Sequence, residues 1–220
     1  PCPLPGPARP RPTPRSITSI TTSECWNYDD PGTQGDPGTP GKQGEPYCLP
    51  TIAVSIAKAN AGGSTAIQMG VALEGGNPDP AHQSPNISEA ITMCRAADVV
   101  VLALGIGHGQ EREGIDRTDT ALPADQSAFA KEVLALGVPT VVVLVNGGAV
   151  AFDEILSPSG PSALIEAFNL AFGAPALAST VFGEENRWGK LPVTLYPHAF
   201  VAQNPMDNYD MSKPPGRTCE

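Results

Sequence analysis
Glu111, Arg112, Glu113, Asp116, Arg117 and Asp119 fall within nine positions of a chain in which only 16% of residues are charged. Carboxylic acids gathered in this way can give and take protons, and the arginines among them can pair with carboxylates or hold polar ligands. Spacing limits the options. Glu111 and Glu113 are two apart, so in extended backbone they point to opposite sides and only one faces a given cleft. A glutamate above an aliphatic rim can have its pKa raised by desolvation and act as a general acid, whereas Arg112 and Arg117 oppose such a shift. On these residues alone, catalysis and a loop pinned by an Arg/Glu/Asp network stand level. His108, just upstream, either hydrogen-bonds a ligand or is merely exposed.

The element that positions this cluster precedes it. Asp98 opens an unbroken apolar run, Val99 to Leu104, which breaks at Gly105, Gly107 and Gly109. Such a run reads as a strand buried on both faces. It delivers the carboxylates to the carboxyl end of a sheet, where ligands of open α/β folds bind. The alternate glycines superficially suggest a dinucleotide loop. That fingerprint has its third glycine five positions after the first and an immediate helix. Here the third comes at four, and the next helix starts near Pro123, so a nucleotide fold is disfavoured. The chain has no Gly-x-Ser-x-Gly elbow, which leaves a serine hydrolase unsupported. Its five cysteines include no Cys-x-x-Cys pair and no metal-like histidine spacing, so neither a zinc site nor any other metal or cofactor is expected.

Around this stretch, helical and strand patterns alternate. Leu49-Pro50-Thr51 opens a helix through Ala59, stopped at Asn60 to Gly63, and 64–73 suits a short strand. A turn-rich loop (74–85) leads to a helix over 88–97, which precedes the long strand. After the acidic loop, Pro123 and Asp125 open a helix to Leu136. Strand 139–145 ends in Asn146-Gly147-Gly148. Ile155 and Leu156 mark a helical turn, Ala163–Phe168 a strand, 175–182 a helix and 191–195 a last short strand. Asp153, Glu154 and 184–187 read as solvated charges. Trp188 is expected to pack over the sheet edge, and the tail after Tyr196 to wrap the sheet without entering it. The sum is an α/β fold, a mostly parallel sheet flanked by helices.

Residues 1–46 are expected to stand apart as a disordered Pro/Gly/Ser-rich segment, with the α/β domain over 47–218. Many of the 25 prolines precede residue 50, and glycine recurs every third position from Gly32 to Gly44. That is the collagen period, but five triplets are too few for a triple helix, so an extended linker is expected. Cys25 and Cys48 bracket this segment and are candidates for one disulfide, while Cys94 reads as a buried thiol. The net charge of −10 argues against nucleic acid or an anionic membrane as partner. No apolar run approaches the roughly 18–20 residues needed to span a bilayer. Pro1–Pro14 has no apolar core of a signal peptide, so the chain reads as a fragment, a processed piece or an incomplete gene model. Asn86-Ile87-Ser88 is an N-glycosylation sequon, usable only in a secreted protein.

Taken together, these residues resemble a known family. Ala97 to Gly105, Gln110-Glu-Arg-Glu-Gly-Ile-Asp-Arg-Thr118, Ala121-Leu-Pro123 and Gln126 look like the carboxy-terminal domain of glycoside hydrolase family 3, and its β-xylosidase-like branch in particular. So do Pro139 to Gly148, Val181-Phe-Gly183, Gly189 to Thr194, Tyr196-Pro197 and Pro215-Gly-Arg-Thr218. The resemblance runs from Cys48 to Thr218 and implies an (α/β)6-sandwich-like domain. It also implies an oligosaccharide substrate, an extracellular setting, and a preceding (β/α)8 barrel that supplies an aspartate nucleophile absent from this chain. Matched residue by residue, Glu111 is the first choice for the acid/base and Glu113 the second. Asp116, Arg117, Arg112 and His108 become substrate-binding or loop-shaping residues, and Asn146-Gly147-Gly148 a neighbouring backbone turn. The whole would be a retaining exo-acting β-glycosidase of β-xylosidase or β-glucosidase type, this chain alone being inactive. A stand-alone carbohydrate-binding or structural module is the alternative.

Overall fold
The computed structural model describes residues 16–20, 25–27, 48–72, 85–107, 109–156, 159–186, 189–204 and 209–210. Five strands form one sheet: β1 (Ser16–Ile20), β4 (Ser64–Ile67), β5 (Val99–Gly105), β6 (Thr140–Val145) and β7 (Ala163–Glu166). Their order is β4-β1-β5-β6-β7 and every pairing is parallel. In chain order this is the 2-1-3-4-5 arrangement of flavodoxin-like sheets, whose order reverses between β1 and β5. A second, antiparallel pair joins β2 (Cys25–Asn27) to β3 (Cys48–Pro50).

Helices cover both faces, as an all-parallel sheet requires. Alternate residues of the central strands divide between them. Val100, Leu102 and Leu104 of β5 and Val142 and Leu144 of β6 pack with α2 (Ile87–Ala96) and α3 (Ala124–Ala135), around the fully buried Phe129 and Val133. Val101 and Val143 face the other way, against α1 (Ile52–Ala59) and α4 (Ala174–Val181). Local chemistry sets the helix ends. The Thr51 hydroxyl accepts from Val54 N–H, and the Asn86 carboxamide accepts from Glu89 N–H, each satisfying a first-turn donor. Gly62 and Gly137 have positive φ just past the ends of α1 and α3, a conformation glycine adopts without steric cost. Among the described residues no helix is long and apolar enough to cross a membrane.

Two expectations change. Residues 1–46 do not all stand outside the fold, because Ser16–Ile20 fills the sheet between β4 and β5, and Cys25–Asn27 pairs with β3. The reason is local: three of the five residues, Ile17, Thr18 and Ile20, are β-branched, although the residues before them are proline-rich. Conversely, 191–195 forms no strand, and Leu191 and Val193 are exposed at 55% and 50%. Among the described residues the sheet therefore has five strands, and a short helix, α5 (Ala199–Gln203), lies in the tail. Elsewhere the patterns hold within a few residues, except that the strand expected over 64–73 ends at Ile67 and a 3-10 turn stands at Asp153–Ile155 where a helical turn was expected. The glycine-periodic segment from Gly32, the 74–84 part of the loop, Trp188 and the last ten residues lie outside the described residues. Cys94 is buried, and desolvation pushes its thiol up to about 11. Cys25 and Cys48 lie on the paired strands β2 and β3, opposite Pro50 and Asn27 respectively.

Candidate functional site
The carboxyl ends of β5, β6 and β7 lie side by side, and each carries a polar group. β5 ends at Gly105, which is gripped from α3. Buried Gln126 accepts from Gly105 N–H and donates to Gly105 C=O, both at 2.8 Å. A side chain at 105 would run into the Val145 carbonyl of the neighbouring strand, so this close approach requires glycine.

Beyond Gly105 the loop is built from local turns. Gln110 N–H and Glu111 N–H both donate to Gly107 C=O, and Gly107 N–H donates to the Gln110 side chain. Next, Arg112 and Ile115 exchange reciprocal backbone hydrogen bonds of 3.0 and 2.8 Å, closing a tight turn. Gly114 takes the left-handed position at φ 76, leaving Glu113 at the tip. Glu113 is exposed and takes no hydrogen bond or ion pair among the described residues. Arg112 and Asp116 are exposed as well.

Glu111 has the opposite surroundings. Its Oε1 accepts from Gly148 N–H at 2.6 Å and its Oε2 from Arg117 Nε at 3.0 Å. Arg117 Nη2 donates onward to Ala149 C=O at 2.7 Å. One ion pair thus ties the β5 loop to the turn after β6 through two backbone groups. A Cβ at Gly148 would sit 2.5 Å from Glu111 Oε2 and 2.9 Å from Arg117 Nη2, so a side chain there would make the ion pair shift. A further tie follows, in which Ala151 N–H donates to Thr120 C=O at 2.7 Å and the two segments form a short parallel bridge.

Of the residues singled out in sequence, the fold therefore brings Glu111 and Arg117 together and joins them to the 146–149 turn. It separates Glu113, Arg112 and Asp116 onto the exposed side, and His108 lies outside the described residues. Two further polar residues on this edge carried no functional expectation. Asn146, read only as part of a turn, is 0% exposed, and its Nδ2 holds Gly148 C=O at 2.9 Å. Glu166, at the end of β7, has its carboxyl pushed above the usual range by burial, against hydrogen bonds from Phe168 N–H and Asn146. The signal was available: Glu166 is the one charged residue in the run from Ala163 to Phe168. Among the described residues, no group of three or more His, Cys, Asp or Glu is placed to hold a metal ion.

The model for the glycosyl hydrolase family 3 C-terminal domain matches residues 23–217. Among curated proteins, the chain is 35% identical to beta-D-xylosidase 3 of Arabidopsis thaliana over 130 residues, covering 57% of this chain and 17% of that protein. It is 38% identical to a probable exo-1,4-beta-xylosidase of Aspergillus fumigatus over 133 residues, covering 59% and 17%. The chain thus spans less than a fifth of the length of these relatives. Among solved structures, the GH3 beta-glucosidase of Bifidobacterium adolescentis superposes with a TM-score of 0.63 at 28% identity, over 94% of this chain and 27% of that one. A GH3 exo-beta-xylosidase in complex with a xylobiose aziridine probe superposes with a TM-score of 0.66 over 89% and 24%; at 23% identity it bears on the fold alone.

Proposed function
Since the chain belongs to the glycosyl hydrolase family 3 C-terminal domain family, we propose that it is the part of a retaining, exo-acting β-glycosidase that carries the acid/base glutamate. The bond cleaved is an O-glycosyl bond of an oligosaccharide, of the β-xylosidase or β-glucosidase type named for its relatives. A retaining mechanism needs two carboxyl groups about 5–5.5 Å apart, one a nucleophile and one a proton donor. This chain supplies the donor. A (β/α)8 barrel supplies the nucleophile and most of the sugar contacts, and the assembled enzyme works outside the cell. The 220 residues alone do not turn over substrate.

The observation that carries this reading is the division of labour between the two loop glutamates. Both oxygens of Glu111 are engaged by the fold, Oε1 with Gly148 N–H and Oε2 with the Arg117 guanidinium. Glu111 is accordingly the mount of the loop. Glu113 sits at the tip of the Arg112–Ile115 turn with its carboxylate unengaged, and it is the acid/base. This reverses the order of preference that the family resemblance implied. With the barrel opposite, Glu113 protonates the departing oxygen as the sugar is transferred to the nucleophile, then deprotonates the water that releases it.

The test uses the chain as it stands and the chain fused behind a family barrel. Neither aryl xyloside nor aryl glucoside is hydrolysed by the 220-residue chain, and the fusion hydrolyses at least one. In the fusion, Glu113→Gln lowers kcat on a disaccharide by about 10²–10⁴ and spares substrates with a good leaving group. Full activity in Glu113→Gln together with its loss in Glu111→Gln refutes the assignment. Binding of sugar by the isolated chain, with no activity in any fusion, points instead to a carbohydrate-binding module.

A further inference from the structure
Asn86-Ile87-Ser88 is the one Asn-x-Ser/Thr sequence in the chain, and glycoside hydrolysis leaves it without a role. The fold sets these three residues at the start of α2, and all three are exposed. The residues that α2 buries, Ala90 and Cys94, lie beyond them. Asn86 N–H donates to Met69 C=O at 2.8 Å, just past the end of β4, so the sequence stands beside an outermost strand of the sheet. The carboxylate loop leaves β5, on the other side of β1, and is tied toward the turn after β6. Asn86 also has a structural task. Its Oδ1 accepts from Glu89 N–H at 3.1 Å, and its Nδ2 donates to Glu89 Oε2 at 3.2 Å. Serine, threonine or aspartate would cap the helix as well as asparagine does. Only asparagine followed two positions later by a hydroxyl residue can also accept a glycan.

We propose that Asn86 is an N-glycosylation site, with Nδ2 as the acceptor and a lipid-diphosphate-linked oligosaccharide of the secretory lumen as the donor. A bond forms between Nδ2 and C1 of the first sugar while the bond from C1 to the diphosphate oxygen breaks. The lipid diphosphate leaves, and the proton lost from Nδ2 passes to solvent. The carboxamide keeps its capping function through this exchange. Its nitrogen starts with two hydrogens and gives up one, and Oδ1 remains an acceptor for Glu89 N–H. Transfer acts on the chain as it enters the lumen, before α2 has formed, so the fold has only to leave the product in solvent. The exposure of residues 86–89 does that. The position beside β4 also keeps the glycan off the β6 side of the sheet edge, where the carboxylate loop is anchored. The inference rests on the extracellular setting of the proposed enzyme.

The test expresses the 220-residue chain behind a cleavable secretory leader in a eukaryotic host and applies mass spectrometry to the secreted and the cell-retained protein alike. Most of the chain is expected to carry one N-glycan. Peptide:N-glycanase should release it and convert Asn86 to aspartate, which marks the site. Ser88→Ala and Asn86→Asp should each abolish the mark, and Ser88→Thr should raise the occupied fraction. Because aspartate caps a helix as well as asparagine, Asn86→Asp should melt as cooperatively as wild type and serves as the glycan-free reference. The glycosylated chain should melt no lower than this reference. Absence of the mark at position 86 in both fractions overturns the proposal. So does a glycosylated chain that loses the cooperative melting of Asn86→Asp, because the fold then rejects the product. The barrel fusion is assayed for hydrolysis after expression in a cytoplasm that lacks the transferase, so the two readings fail separately.

Discussion
Arg117 meets Glu111 at 3.0 Å and Lys131 meets Glu154 at 2.9 Å, yet the two ion pairs differ in everything beyond distance. Glu154 and Lys131 are each half exposed, and Ser127 adds a hydroxyl hydrogen bond. The pair links α3 to the 3-10 turn at 153–155 from the solvent side. Arg117 and Glu111 are 15% and 30% exposed, and each reaches a backbone group of the turn after β6. Water competes for the first pair and hardly for the second, so equal distances do not mean equal energies. Backbone anchors also make the second pair directional. It fixes where a loop stands, which a solvated lysine cannot do.

The comparison is best broken where the two pairs should differ most. Glu111→Ala leaves the Arg117 guanidinium nearly buried with two empty donors, and should cost about 2–3 kcal/mol by urea denaturation. A loss under about 0.5 kcal/mol would put this pair in the same class as the exposed one. Next, Gly148→Ala pushes a methyl group against Glu111 and Arg117. It should cost about 1–3 kcal/mol, and most of that cost should disappear in the Glu111→Ala background. A double-mutant cycle reads the difference directly. Lys131→Met should change stability by less than about 0.5 kcal/mol, and less again in high salt.

The smallest effect sharpens the contrast through pH. Hydrogen bonds from Lys131 and then Ser127 hold the Glu154 carboxyl below its ordinary value. A depressed native pKa contributes stability that is present above the unfolded value and lost as pH falls through the folded one. Glu154→Gln should therefore flatten the acid side of the melting-temperature profile slightly and leave neutral pH almost unchanged. Glu166, whose carboxyl is raised, has the opposite sign. Its contribution is complete below the unfolded value and lost as pH rises through the folded one, so Glu166→Gln should stabilise the chain on the alkaline side.

Much of this architecture was legible in the residue order, and the limits of legibility have causes. Strands β5 and β6 announce themselves because a strand buried on both faces must be apolar throughout, as Val99–Leu104 and Thr140–Val145 nearly are. Helix caps at Thr51 and Asn86 are local hydrogen bonds and need no tertiary information. Strand β1 was missed because its five residues sit between segments that look like linker, and composition averaged over such a window hides a short strand. The segment 191–195 was misread for the opposite reason: Leu-Pro-Val-Thr-Leu has strand-like residues, yet it pairs with neither edge strand of the sheet, β4 or β7. On the loop, the sequence placed six charged side chains in one cluster. It could not say which glutamate was engaged, because the partners of Glu111 lie 37 positions away at Gly148 as well as six away at Arg117.

The amino-acid order thus determined the kinds of element, the parallel sheet, and the delivery of carboxylates to its carboxyl edge. These follow from hydrophobic period, turn chemistry and short-range hydrogen bonds, all readable within a few residues. Tertiary structure alone decided which of two glutamates separated by one residue is clamped and which stands free. It also decided that Asn146 and Glu166, distant in sequence, share the same edge. Those outcomes depend on strands β5, β6 and β7 lying side by side, and a backbone N–H from a neighbouring strand's turn leaves no trace in the residues it will hold.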